Sequence, residues 1–151
     1  MRADRTRRTL GALWRARAGV SALEFAILAP ALCMLSLGTL EYGRLVWTTE
    51  ALTQAATEGA RCMGVLASSC ASAGVYSSTN TQSYVSTLAG YWSITLPTSG
   101  ITLSRTASCA GIAGFSQVNI SYTFQTVLPL TLTDLSTSVP INASACFPNN
   151  S

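Results

Sequence analysis

"RARAGVSALEFAILAPALCMLSLGTLEYGR", residues 15–44, decides how the rest of this 151-residue chain is read. From Val20 to Leu40 it runs for 21 residues with Glu24 as its only charge. At a rise of 1.5 Å per residue, about 20 apolar residues span a hydrocarbon core of about 30 Å, so the stretch predicts a membrane-spanning helix. Pro30 lies within it, where neighbouring groups in a membrane helix can satisfy the freed backbone. An ionised carboxylate at membrane depth costs several kcal/mol, which makes Glu24 the first candidate functional residue.

Charge is distributed unevenly around this stretch. All nine basic residues are arginine, and six of them (Arg2, Arg5, Arg7, Arg8, Arg15 and Arg17) precede Gly19, against Asp4 alone. The leader over residues 1–19 is therefore strongly basic, while the remainder, with three arginines and five acids, is weakly acidic. Six arginines in front of the span, against Arg44 alone close behind it, predict a cytoplasmic N-terminus, an inner-membrane location and a C-terminal part outside. A nucleic-acid-binding protein needs basic residues spread over a folded face, so nucleic acid is not an expected partner. Membrane lipid is.

Behind the span, "EYGRLVWTTEALTQAATEGARCMGV" (41–65) reads as a continuing amphipathic stem helix over 41–66. Leu45, Leu52, Ala56, Gly59 and Met63 recur at helical spacing and form a stripe of mainly small residues, which lets helices approach closely. Glu41 with Arg44, and Glu58 with Arg61, stand three apart as candidate surface ion pairs. Tyr42 and Trp47 sit where an interfacial aromatic belt is expected.

Residues 67–151 predict a small extracytoplasmic domain. "ASSCASAGVYSSTNTQ" (67–82) is a loop by composition, and "TQSYVSTLAGYW" (81–92) a short helix with Tyr84, Leu88 and Tyr91 on one face. "ITLSRT" (101–106) and "SQVNISYTFQ" (116–125) alternate like half-buried strands, with Val118, Ile120, Tyr122 and Phe124 on one side. "LPLTLTDLSTSVPINASACF" (128–147) predicts one or two more strands. The fold class is α+β: a long N-terminal membrane-spanning and stem helix, then a small antiparallel sheet domain.

Of five cysteines, Cys33 falls in the span and reads as a small apolar residue. Cys62, Cys70, Cys109 and Cys146 lie in the outer part, an even number in an oxidising compartment. Three pairings are possible. The favoured one joins Cys62 to Cys70, closing a short loop at the stem's end, and Cys109 to Cys146, tying the terminal segment to the sheet. A metal site is not expected, since the chain has no histidine and no CxxC. The lack of histidine also removes most acid–base and triad chemistry. Asp134 is the only acid after the stem, so no paired carboxylates can assemble there. "CAGIAGF" (109–115) has glycines without the lysine or strand-to-helix context of a phosphate loop. No enzyme and no cofactor are expected.

A basic leader ending in Gly19, four residues, then Glu24-Phe25 and an apolar helix resembles the processing signature of type IV pilin-like proteins. "EYGRLVW" (41–47) and "AATEGARCMG" (55–64) extend the resemblance to the TadE-like pseudopilin family of tight-adherence (Flp-type) pilus systems, with Glu41, Gly43, Arg44, Glu58, Gly59 and Arg61 as the motif residues on the stem. The resemblance covers roughly residues 15–65. It implies cleavage between Gly19 and Val20 by an aspartic prepilin peptidase, assembly roles for Glu24 and Phe25, and partners among other pilins, minor pilins and the pilus secretion machinery. It further implies a role in pilus assembly and surface adhesion. The alternative is a single-pass anchored or secreted binding protein with a conventional signal sequence, for which Ser36-Leu37-Gly38 could serve as a small-x-small cleavage site. Against that, the apolar run is long for a signal and a carboxylate stands near its start.

Overall fold

A computed structural model describes residues 18–126 and 138–150, with side chains from Val20 onward. The leader up to residue 17, Asp134 and the first part of the 128–147 segment lie outside the described residues. The chain divides into two compact units, residues 1–40 and 41–151.

Helix α1 runs from Ala18 to Gly64, 47 residues that include Pro30. Alanine, leucine and other good helix formers dominate it. Its serines and threonines turn their hydroxyls inward: Ser36 donates to the Leu32 carbonyl at 2.8 Å, and Thr48, Thr49, Thr53 and Thr57 each donate to the carbonyl four residues back. A hydroxyl bonded to its own helix presents little unsatisfied polarity to an apolar environment. Arg61 in the last turn complements the partial negative charge of the helix C-terminus.

In the second unit, α1 is followed by the two-residue strands β1 (Ala71–Ser72) and β2 (Val75–Tyr76), then helix α2 (Ser78–Tyr91). A 3₁₀ turn, Thr98–Gly100, leads into β3 (Ile101–Cys109), β4 (Ile112–Gln125) and β5 (Ser138–Pro148). The last three form an antiparallel sheet in the order β3-β4-β5. β4 is central and alternates as its sequence predicts, with Val118, Ile120 and Phe124 buried and Tyr122 half-buried.

The core lies where the small-residue stripe of α1 meets α2 and this sheet. Leu52, Ala56 and Met63 are fully buried, flanked by Ala51, Ala55 and Ala60, and they pack with Val85, Ala89, Val118, Ile120 and Ile141. Gly59 belongs to the same face, while Leu45 is only half-buried. A Cβ on Gly59 would stand 2.5 Å from Val85 Cγ2 and 3.4 Å from Val118 Cγ2. Only a glycine lets α1, α2 and β4 converge there. Gly59→Ala is expected to destabilise the protein: overpacking costs about 1–3 kcal/mol and outweighs the gain of about 1 kcal/mol from replacing a helical glycine. Gly43→Ala is the control, because nothing lies within 4 Å of that position. In denaturant titrations of the detergent-solubilised protein, Gly59→Ala should lower the midpoint and Gly43→Ala should hold or raise it.

Two expectations are corrected. The face of α2 that packs is Thr81, Val85 and Ala89, with Leu88 half-buried beside them, whereas Tyr84 is only partly covered and Tyr91 is 78% exposed. The close approach at Gly59 leaves room there for small side chains and not for tyrosines. Second, the segment read as a loop holds the β1–β2 hairpin, and α2 starts at Ser78, earlier than the composition suggested. Its N-cap is Ser77, whose hydroxyl accepts from the Asn80 amide at 3.3 Å. "CAGIAGF", which lacks the context of a phosphate loop, supplies the β3–β4 turn: Cys109 pairs with Ile112, leaving Ala110 and Gly111, both at positive φ (52° and 82°). The β1–β2 turn repeats this with Ala73 and Gly74 at 51° and 78°. Two central residues at positive φ match the right-handed twist of a tight hairpin, and glycine supplies the second at no steric cost.

Two disulfides close the unit. Cys62 is bonded to Cys70, with Cα atoms 5.9 Å apart, linking the end of α1 to the approach to β1. Cys109 is bonded to Cys146 across 6.6 Å, joining the two strands that flank β4. The C-terminal end also folds back on α1, where the Asn150 amide donates to the Gly64 carbonyl at 3.0 Å.

Candidate functional site: the apolar helix and its stem

Between Val20 and Leu40, α1 presents its apolar side chains outward. Val20, Leu23, Phe25, Ile27, Leu28, Leu32, Met34, Leu35 and Leu40 are each about 60–70% exposed. Burial of one such side chain is worth about 1.5–3 kcal/mol, so together they demand apolar surroundings that this segment does not itself provide. The helix is long and apolar enough to cross a membrane once.

The candidate processing and assembly residues stand at the start of this helix. Gly19 has helical backbone, and Val20 follows it. Glu24 lies one helical turn beyond Val20, exposed, and it makes no ion pair with another described residue. Phe25 beside it is 68% exposed. Cleavage between Gly19 and Val20 would create an amine on the same helical turn as the Glu24 carboxylate.

The stem motif residues separate into distinct tasks. Arg44 Nη1 pairs with Glu41 Oε2 at 2.8 Å, and the same guanidinium lies 5.3 Å from the ring centre of Phe124 in β4. Arg44 thus ties the lower stem to the sheet through charge and cation–π attraction, with Glu41 orienting it. The expected Glu58–Arg61 pair does not form. Both residues are exposed, and an exposed pair gains too little to order two long side chains. Gly59 is fixed by the packing described above, and Gly43 faces open space.

Two features had no local signal in the sequence. Trp47 on α1 and Trp92 at the end of α2 meet edge to face, ring centres 5.3 Å apart, beside an open groove of about 530 Å³. Elsewhere, Arg105 lies 5.5 Å from the ring centre of Tyr76, and its carbonyl accepts from Asn149 Nδ2 at 2.7 Å. Burial raises the Tyr76 hydroxyl above the usual phenol range, with the Arg105 charge acting in the opposite sense. Both pairings join residues far apart in the chain. Among the described residues, no three His, Cys, Asp or Glu side chains gather as a metal site.

The family model described as TadE-like protein matches residues 19–61, from the candidate cleavage glycine to the last arginine of the stem. No curated protein and no solved structure matches the chain.

Proposed function

We propose, on the match of residues 19–61 to the TadE-like model, that the chain works in a tight-adherence pilus system as a pseudopilin or minor pilin. In this reading the chain is inserted with its N-terminus in the cytoplasm and its disulfide-bonded domain outside. A prepilin peptidase cuts after Gly19, and the mature protein acts with other pilins and the secretion machinery in pilus assembly and adhesion. The observation that carries the proposal is the placement of Gly19, Glu24 and the exposed apolar helix within the one segment that matches the family. Two disulfides support an oxidising location for the outer unit.

Intact-mass measurement of the membrane fraction, with and without a prepilin peptidase, tests it. The 151-residue chain should lose its first 19 residues only when the peptidase is present, and the product should keep its apolar helix. Replacing Gly19 with a bulky residue should leave full-length protein alone, because glycine lets the backbone approach the catalytic carboxylates closely. Cleavage near Gly38 instead would identify a conventional signal sequence and end the proposal.

A further inference from the structure

We infer that the groove between α1 and the end of α2 is a lipid seat, holding a zwitterionic phospholipid headgroup at the membrane–water boundary. The inference rests on the membrane-spanning reading of residues 20–40, and it does not depend on a role in pili. The groove is lined by Tyr42, Val46, Trp47, Glu50 and Trp92. Tyr42, Trp47 and Trp92 are 69%, 59% and 40% exposed, and Tyr91 next to Trp92 is 78% exposed. Three aromatic side chains lining one groove are costly to leave in water. Tryptophan and tyrosine, apolar in body and polar at one edge, suit the headgroup layer.

Continuity with the span locates the surface. Tyr42 follows Leu40 by two residues, about 3 Å of helix rise, and Trp47 lies about 10 Å beyond Leu40. Helical side chains lean toward their N-terminus, which brings the Trp47 ring back toward the span. The headgroup layer is about 5–8 Å thick on each side, so both rings fall within or beside it. Trp92 comes from a different element and meets Trp47 edge to face. Two helices of one domain thereby share a single aromatic ledge.

Charge selects the lipid. Among the described residues, the groove is lined by one carboxylate, Glu50, and by no cationic side chain. An ammonium group is attracted both to that carboxylate and to the faces of Trp and Tyr, whereas an anionic headgroup without an ammonium is repelled. Phosphatidylethanolamine and phosphatidylcholine fit this chemistry. Phosphatidylglycerol does not.

The chain has three tryptophans, so the double variant W14F/W47F leaves Trp92 as the only indole, and phenylalanine keeps an aromatic edge against it. The full chain is reconstituted into phosphatidylcholine vesicles carrying lipid brominated near the headgroup, and its retention is checked by alkaline extraction. Trp92 emission is expected to fall about two-fold, with weak quenching by aqueous acrylamide, as for a ring in the interfacial layer. Quenching should be smaller in phosphatidylglycerol vesicles and recover there in W14F/W47F/E50Q. Retained protein whose Trp92 ignores brominated lipid and is open to acrylamide overturns the lipid seat while leaving the span intact. Shielding from acrylamide only at high protein-to-lipid ratio, without lipid quenching, gives the groove to a second copy and also overturns it. Protein released by alkali overturns the span and the seat together.

Discussion

Glu24→Ala protein is expected to be inserted and cleaved after Gly19 like the unmodified chain, yet to fail to enter or support a pilus. Glu24 is exposed one turn beyond Val20, and no described residue of the chain pairs with it. In the precursor, the carboxylate is close in sequence to Arg15 and Arg17 and can reach the interface. The proposed cleavage after Gly19 would replace that leader with the free amine of Val20. At an effective dielectric constant of about 20, opposite charges 4 Å apart attract by about 4 kcal/mol, comparable with the cost of placing a carboxylate at membrane depth. If the chain is processed as proposed, such a pair would form within the subunit or, in a bundle, between neighbours. It would then make assembly conditional on processing and set the axial register.

The competing account places Glu24 at headgroup depth with no role beyond solvation. The two differ in one measurement. Cleaved Glu24→Ala protein that restores normal piliation to a strain lacking this chain supports the solvation account and removes the pairing. Cleavage must be confirmed by mass in the same sample, since an uncleaved variant fails for a different reason. Glu24→Gln sharpens the comparison: it keeps size and hydrogen bonding while removing the charge that the new amine attracts.

What the sequence disclosed about this molecule was set by how local each signal is. A charge-free apolar run is a property of consecutive residues, so the helix over Val20–Leu40 was legible directly. So was the alternation of β4, because a strand with one buried face repeats every two residues. The two hairpin turns were not, because they place Ala73 and Ala110 where asparagine or aspartate is the usual signal. On α2 the large residues misled: the packed face is chosen by the gap that Gly59 leaves, which is a property of α1. The same holds for the candidate sites. Gly19 and Glu24 announce themselves through spacing. The Arg44–Phe124 contact and the Trp47–Trp92 ledge join residues dozens of positions apart, and only the folded outer unit brings them together.

Removing Cys109–Cys146 is expected to cost the outer unit more stability than removing Cys62–Cys70 or crowding the contact at Gly59. In the chain-entropy account, a bond closing 37 residues of sequence separation restricts the unfolded chain by about 4 kcal/mol, and one closing 8 residues by about 2.5 kcal/mol. Small domains are stable by only about 5–15 kcal/mol in total. The longer loop therefore accounts for a large part of the margin, the more so because the three described strands make a sheet near the lower limit for independent stability. Hydrogen bonds from Asn149 and Asn150 to Gly114, Arg105 and Gly64 still hold the end of β5 when the bond is absent, so the native arrangement is weakened and not abolished at low temperature. Paired serine substitutions avoid leaving a reactive thiol behind. In urea titrations of the solubilised protein, C109S/C146S should lose more than C62S/C70S, by about 1–2 kcal/mol if loop length governs. Equal losses would mean that native packing at each bridge, not loop closure, sets its value. A larger loss from C62S/C70S would place the weak point at the end of α1, where Gly64 already lies against Phe147.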